Sequence, residues 1–459
     1  MLKGLEITEI KLSEVKKVSG DLRIEAEHFQ KKYFDLKKKL SRHNCVRLAE
    51  LVSKPIQTGH TPSMKNERFY GGNIKFIKTD NLRDNDIKFP FSHYLSELGN
   101  SEIKRTELQE NDIITTIIGA TYDVIARSCI IHKEILPANI NQNIAHIRPN
   151  MKKIIPEYLN MYLNSKYGKM YLEYLSRQME QVNLNCEEVG NVLVPLFSTD
   201  FQQRIESLVK SAHAKLAESK SLYAQAEDIL LSELGLKDWQ PKNEAVSIKT
   251  FSDFASSGRL DAEYYQSKYD EIEERIKSVP HKTLNEIADI QDLNFNPKEK
   301  VVYKYIELAN IGTSGEITGC TEDLGENLPS RARRIVHSGD VLVSSIEGSL
   351  QSCAIVSKEY DGALCSTGFY VLKAVAMNPE SLLILLKSEI MQQLLKKGCS
   401  GTILTAISKD EFNRVIIPIL PQEIQKQIAE LIQTSFALRQ ESKELLESAK
   451  LAVEAEIEV

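Results

Sequence analysis

The chain repeats itself. Arg23-Ile24-Glu25-Ala26-Glu27-His28-Phe29 returns as Arg259-Leu260-Asp261-Ala262-Glu263-Tyr264-Tyr265, an offset of 259 − 23 = 236. Lys32-Tyr33 is answered by Lys268-Tyr269, and Leu48-Ala49-Glu50-Leu51 by Leu284-Asn285-Glu286-Ile287. Asn111-Asp112-Ile113-Ile114-Thr115-Thr116 matches Gly339-Asp340-Val341-Leu342-Val343-Ser344. Near the end of each half, Val192-Leu193-Val194-Pro195 through Ile205-Glu206-Ser207-Leu208 matches Ile416-Ile417-Pro418 through Ile428-Ala429-Glu430-Leu431, where the offset has fallen to 418 − 195 = 223. The block order is the same in both halves, and the first half carries insertions in its middle. A duplication of this length makes each half one structural unit, consistent with a 459-residue chain too long for a single core.

Within one repeat the reading starts with a short strand and a turn of helix around Ala26 or Ala262. A β-rich region follows, with apolar residues at Ile74, Phe76, Ile77, 113–118, Ile130, Ile131, Ile144 and Ile147. A helix is expected from Pro156 to Gln178, with Pro156 in its first turn. Each half then ends in a long helix, from 199 or 200 to 234 in the first and from 421 to the C-terminus in the second. Phe201, Ile205, Leu208, Val209, Ala212, Leu216, Leu222, Ala226, Ile229 and Leu230 recur at three-to-four spacing in one; Ile424, Ile428, Leu431, Ile432, Ala437, Leu438, Leu445, Ala449 and Ala452 do so in the other. A helix of about 35 residues is about 50 Å long. Nothing else in its own half covers such a stripe, so the economical packing sets the two long helices against each other, as a spacer between two globular heads. The alternative folds each helix back onto its own head.

The search for reaction chemistry returns little. A phosphate-binding loop has no match, Gly168-Lys169-Met170 being the nearest approach. There is no G-x-G-x-x-G, no H-E-x-x-H and no G-x-S-x-G; Gly398-Cys399-Ser400-Gly401 has the wrong spacing. Asn296-Pro297-Lys298 and Asn378-Pro379-Glu380 are turn dipeptides rather than the N-P-P-Y loop of an amino-methyltransferase. Nine dispersed histidines suggest no metal site, and seven scattered cysteines without a C-x-x-C pair suggest reduced thiols in a cytoplasm. No apolar run spans a membrane, and the N-terminus carries no secretory pattern. The net charge of −6 weighs against nucleic-acid binding, although acidic positions such as Glu441, Glu444, Glu447, Glu454 and Glu456 on the last helix account for part of it. The chain reads as a binding protein.

In the first half Thr58-Gly59-His60-Thr61-Pro62-Ser63 precedes Phe69-Tyr70-Gly71-Gly72-Asn73-Ile74-Lys75-Phe76-Ile77-Lys78-Thr79-Asp80-Asn81-Leu82. This resembles the G-x-T-P-S … Y-W-G-G-x-I-x-W-I … D-L block of type I restriction–modification specificity subunits. Asp112-Ile113-Ile114, Ile118-Gly119-Ala120-Thr121 and Asn141-Gln142-Asn143-Ile144 resemble the same family's G-D-I-L … I-G-A-T … N-Q-x-I block. Gln181-Val182-Asn183-Leu184, Val194-Pro195 and Phe201-Gln202-Gln203-Arg204-Ile205 resemble its closing run, as do Gly401-Thr402, Ile417-Pro418 and Pro421-Gln422-Glu423-Ile424-Gln425-Lys426-Gln427-Ile428-Ala429. The second half departs from the first block, showing Phe295-Asn296-Pro297 and Tyr303-Lys304-Tyr305-Ile306 instead.

The resemblance implies a mixed α/β (α+β) fold with two β-rich target-recognition domains, at 1–198 and 244–420. Antiparallel coiled-coil-like spacer helices would occupy 199–236 and 421–459, with a linker at 237–243. It implies a non-catalytic subunit that reads a bipartite, asymmetric site on double-stranded DNA and docks two methyltransferase subunits, with two restriction–translocase subunits joining in the restricting form. No cofactor is expected on this chain; S-adenosylmethionine would belong to the methyltransferase, and ATP with Mg to the restriction subunits. A specificity subunit serving another methyltransferase-based system, an unrecognised enzyme and a coiled-coil scaffold are the competing readings.

Base reading needs Arg, Lys, Asn, Gln and small hydroxyls on loops. The candidates in the first half are Thr61, Ser63, Lys65, Asn66, Lys78, Thr79, Asn81, Arg83, Thr121, Tyr122, Arg127, Asn141, Gln142 and Asn143. In the second half they are Lys298, Lys300, Lys304, Arg331, Arg333, Arg334, Ser349, Gln351 and Thr367. Two readings stay open for 139–143, adenine contacts or a turn capping its own backbone. The Arg331 cluster is either a DNA contact or a solvated loop.

Overall fold

The repeat is built by pairing the two ends of each half with one another. The computed structural model describes residues 26–459 apart from 89, 123, 179–181, 243 and 402–404. The first strand of the repeat, Arg23 to Glu25 of the opening block, Gln181 and Thr402 lie outside the described residues. Cys45–Arg47 pairs antiparallel with Leu193–Pro195, and His281–Thr283 pairs in the same way with Ile416–Pro418. In both cases the proline that ends the repeat block sits opposite the first residue of the opening strand, Cys45↔Pro195 and His281↔Pro418. Hydrogen bonding between the two ends keeps them alike while the chain between them varies in length.

By contacts the chain forms two compact units: Met1–Ala214 with Glu441–Val459, and Lys215–Gln440. The long helices are Thr199–Glu233 and Gln422–Glu458. The first unit holds the start of the first helix and the end of the second; the second unit holds the complementary halves. Ile205 and Val209 share the first unit's core with Ala449, Val453 and Ile457. Tyr223, Ala226 and Leu230 share the second unit's core with Ile428 and Ile432. Ile205, Val209, Ala226, Leu230, Ile428, Ile432 and Ala449 are stripe positions, and Tyr223, Val453 and Ile457 extend the stripes, so in each unit the long helices meet each other and the globular part at once.

In the first unit, β1 (Tyr70–Ile77), β2 (Ile113–Thr116), β3 (Ala138–Ile140) and β4 (Ile144–Ile147) carry the arrangement that matters for the site. β1 and β3 are parallel, with Ile140 beside Ile77. β4 is antiparallel to β2, with Ile147 opposite Ile113. The second unit repeats this with β5 (Val302–Ile306), β6 (Val341–Ser344), β7 (Leu364–Ser366) and β8 (Phe369–Ala374). β5 and β7 are parallel with Cys365 beside Ile306, and β8 is antiparallel to β6 with Leu372 opposite Val341. The Asn111-Asp112 and Gly339-Asp340 blocks enter β2 and β6 through left-handed residues, Asn111 at φ 69° and Gly339 at φ 92°. Asn and Gly are the residues that tolerate that conformation, so the match between them is conformational.

One expectation needs correction. The helix expected from Pro156 to Gln178 is two helices, Pro156–Asn164 and Lys166–Leu175, broken at Ser165. Ser165 is extended (φ −68°, ψ 159°), and its hydroxyl accepts the Gly168 N–H at 3.2 Å. A new N-cap therefore outweighs continuation of the first helix. Ser388 does the same between Pro379–Lys387 and Glu389–Lys397.

Candidate nucleic-acid interface

Parallel pairing sends two chains out of a sheet at the same end. In the first unit the exits are Lys78 after β1 and Asn141 after β3. The Asn141 N–H donates to Ile77 O at 3.1 Å, which keeps the two exits adjacent. The β1 exit enters a 3-10 turn, Thr79–Asn81, fixed by the Asn81 side chain. Asn81 is 3% exposed; its Oδ1 accepts the Lys78 N–H and its Nδ2 donates to Lys88 O, both at 3.1 Å. Asn141 is 7% exposed, and its Oδ1 accepts the Asn143 N–H at 3.2 Å. Asn139 is fully buried, bonded to Asn100 at 2.8 Å and Thr106 at 2.9 Å. Asn139 and Asn141 thus hold their own backbone, while Gln142 is left exposed at the tip.

The loop before β1 is drawn against this tip. Gly59 passes so close to β3 that a Cβ on it would lie 2.0 Å from Ile140 O. Thr61 then donates its hydroxyl to the Gln142 side chain. Tyr70 fixes the loop by donating to Pro62 O at 2.6 Å, with Ser63 and Lys65 exposed beyond it. Asn66 spends its Oδ1 on the Arg68 N–H at 3.3 Å. Lys78 Nζ donates to His93 Nδ1 at 2.8 Å. Among the described residues, the buried Thr79 hydroxyl has no hydrogen-bond partner. Arg83 and Arg127 both reach Leu82 O, at 2.8 and 3.4 Å. Thr121 is exposed and Tyr122 half-buried against the unit's core. The structure therefore brings Thr61, Lys78, Asn141 and Gln142 together at one end of the parallel pair, and Arg83 with Arg127 beside the β1 exit turn.

The second unit builds the same exit from different residues. After β5 comes Glu307 and a 3-10 turn, Leu308–Asn310, in which Asn310 Oδ1 accepts the Glu307 N–H at 2.8 Å. At the end of β7, Ser366 Oγ accepts the Gly368 N–H at 3.2 Å. Glu307, Asn310 and Ser366 thus stand where the first unit has Lys78, Asn81 and Asn141. Sequence reasoning missed all three, because the offset wanders from 307 − 78 = 229 to 366 − 141 = 225. The legible signal was Ile-x-x-x-Asn, in Ile77…Asn81 and Ile306…Asn310.

Thr367, at the tip of the second exit, donates its N–H to Arg331 O at 2.9 Å. The Arg331 side chain is exposed. Arg333 is spent on Ser330 O at 3.0 Å and Asn296 Oδ1 at 2.7 Å, and Arg334 donates to Phe369 O at 2.6 Å. Lys298 and Lys300 are exposed on the loop before β5. Lys304 is tied to Glu359 O at 3.1 Å. Ser349 closes a turn with Ser344 at 2.8 Å, and Gln351 offers its carbonyl to Lys387 at 2.8 Å. Only Arg331 and Thr367 of the second-half candidates stand at the strand exits.

Behind the first exit, Asp112 is almost fully buried and takes both Nε and an Nη of Arg148 at 2.7 Å, with His146 Nε2 also at 2.7 Å. Burial works against the Asp112 carboxylate, yet the hydrogen bonds from Arg148 and His146 outweigh it and hold its pKa below the usual value. Burial lowers the His146 pKa against the pull of Asp112, which keeps the ring neutral. This network staples β4 to the entry of β2. Among the described residues no group of three or more His, Cys, Asp or Glu is placed to hold a metal ion, and no helix is long and apolar enough to cross a membrane.

Residues 277–448 match the family model of the type I restriction modification DNA specificity domain. The chain is also similar to the type I restriction enzyme EcoBI specificity subunit of Escherichia coli, 29% identical over 141 residues. That match covers 31% of this chain and 29% of the relative's length. Among solved structures, the type I restriction–modification S subunit from M. genitalium overlays with a TM-score of 0.42 at 12% identity, over 90% of this chain and 95% of that one. The HsdS subunit from Thermoanaerobacter tengcongensis overlays with a TM-score of 0.31 at 17% identity, over 90% and 96%.

Proposed function

We propose that the chain is the sequence-reading, non-catalytic specificity subunit of a type I restriction–modification complex in the cytoplasm. Each unit would read one half of a bipartite site on double-stranded DNA through its pair of strand exits. The observation that carries this is that the two units keep the same parallel-strand exit while the residues at it differ: half-buried Lys78 and exposed Gln142 in one, exposed Glu307 and half-buried Thr367 in the other. A retained frame with changed tips suits two readers of unequal half-sites, and unequal halves let a duplicated protein recognise a non-palindromic sequence. The domain match in the second half supports the same reading. Two methyltransferase subunits, bringing S-adenosylmethionine, would dock on the chain; restriction subunits using ATP and Mg would join them for cleavage. The proposed target-recognition domains are 1–198 and 244–420, the spacer helices 199–236 and 421–459, and the linker 237–243.

The test is a binding experiment on the purified complex of this chain with its cognate methyltransferase subunit, using duplexes selected from random sequence. Enrichment of two fixed half-sites at constant spacing is expected. Recovery of unselected sequence from a folded complex would overturn the proposal.

A further inference from the structure

A carboxylate stands at the second unit's strand exit where the first unit has a lysine. Glu307 and Lys78 occupy the same rung, each following the last residue of the first strand of the parallel pair and preceding a 3-10 turn closed by an asparagine. Beside Glu307 run Ser366 and Thr367, and the Thr367 N–H is bonded to Arg331 O. Ser366 pairs with Ala332 on its other side, so Glu307 and Arg331 end up on the two strands that flank the exit of β7. Both side chains are exposed, and among the described residues neither has an ion-pair partner within 4 Å.

On a surface that meets phosphates an exposed carboxylate is repelled unless a base donor receives it. In the major groove, cytosine offers its N4 amino group with no acceptor beside it, whereas adenine sets N7 next to its amino group. Guanine, across the pair, offers O6 and N7 to a guanidinium.

We propose that Glu307 and Arg331, flanking Thr367, read a C·G base pair in the half-site of the second unit. Glu307 accepts from cytosine N4, and Arg331 donates to guanine O6 and N7. This rests on the DNA-reading function proposed above and assigns its specificity at one position. The first unit, with Lys78 at the equivalent rung, imposes no such cytosine.

The test compares methylation motifs in a host carrying the complex with wild-type chain, Glu307→Gln, Lys78→Ala, or Glu359→Gln as a surface control. The wild-type motif should contain a fixed C·G pair in one half-site. Glu307→Gln should relax that position alone by about tenfold or more in discrimination. Lys78→Ala should alter only the other half-site, and the control neither. An unchanged motif with Glu307→Gln overturns this proposal, whereas a wild-type complex with no bipartite motif overturns the DNA-reading function itself. If Glu307→Gln abolishes methylation, the purified complexes are compared on the wild-type duplex and one with that pair exchanged. Loss of discrimination supports the proposal, and an equal drop on both duplexes overturns it.

Discussion

His146 Nε2 lies 2.7 Å from Asp112 Oδ2 in the first unit, and the position matching His146 in the second unit is Val371, one rung from Leu372↔Val341. The two aspartates that open β2 and β6 therefore live under opposite conditions. Asp112 keeps a low pKa through Arg148 and His146, whereas burial pushes the Asp340 carboxyl up, with a backbone hydrogen bond from His337 only partly offsetting it. Asp112→Asn removes the charged acceptor of a half-buried guanidinium and should cost about 2 kcal/mol. Asp340→Asn keeps an acceptor for the His337 N–H and should cost less than about 1 kcal/mol. Denaturant unfolding of the two variants measures the contrast.

The same network sets a pH dependence. The lowered His146 pKa means the unfolded chain takes a proton more readily than the folded one. Its contribution is therefore present above the unfolded value of 6.5 and is lost as the pH falls through the lower folded value. Asp112 adds a second loss below 3.8. The denaturant midpoint should be lower at pH 5 than at pH 8, and His146→Val should shrink that difference.

Ser219 and Ser435 face each other between the long helices in the second unit, hydroxyl to hydroxyl at 3.0 Å, and Ser435 also donates to Ser219 O at 2.8 Å. Both are fully buried. Ser435→Ala should cost about 1 kcal/mol for the lost hydrogen bond. Ser219→Leu should cost about 1–3 kcal/mol, because the helices have no room to take it. Thermal unfolding measures both.

Gly59→Ala places a Cβ 2.0 Å from Ile140 O and 2.6 Å from Asn141 O, so the loop bearing Thr61 must lift from the Gln142 tip. We expect the variant to fold and to assemble, but to lose preference in the first half-site alone. Selection from random duplexes reads this directly.

The repeat frame, the two long helices and the β-rich middle were legible because they depend on periodic apolar residues and on block matches. The long helices were expected from 199 or 200 to 234 and from 421 to the C-terminus, and they are Thr199–Glu233 and Gln422–Glu458. The break at Ser165 was not read, because an apolar period continues across it and only the cap chemistry of Ser165 and Gly168 ends the first helix. The exit residues were half legible. Thr61, Lys78 and Gln142 were named from residue type, but type does not distinguish Asn141 or Asn81, which are spent on their own turns, from Gln142, which is not. Glu307 was missed because the search favoured donors, and its place is set by strand register.

The central claim is that this chain chooses the DNA sequence its partners modify. The most direct test is the methylome of a host with the cognate methyltransferase, with and without this chain. A bipartite, asymmetric methylated motif that disappears when the chain is deleted is the predicted result. A methylome unchanged by the deletion would contradict the account.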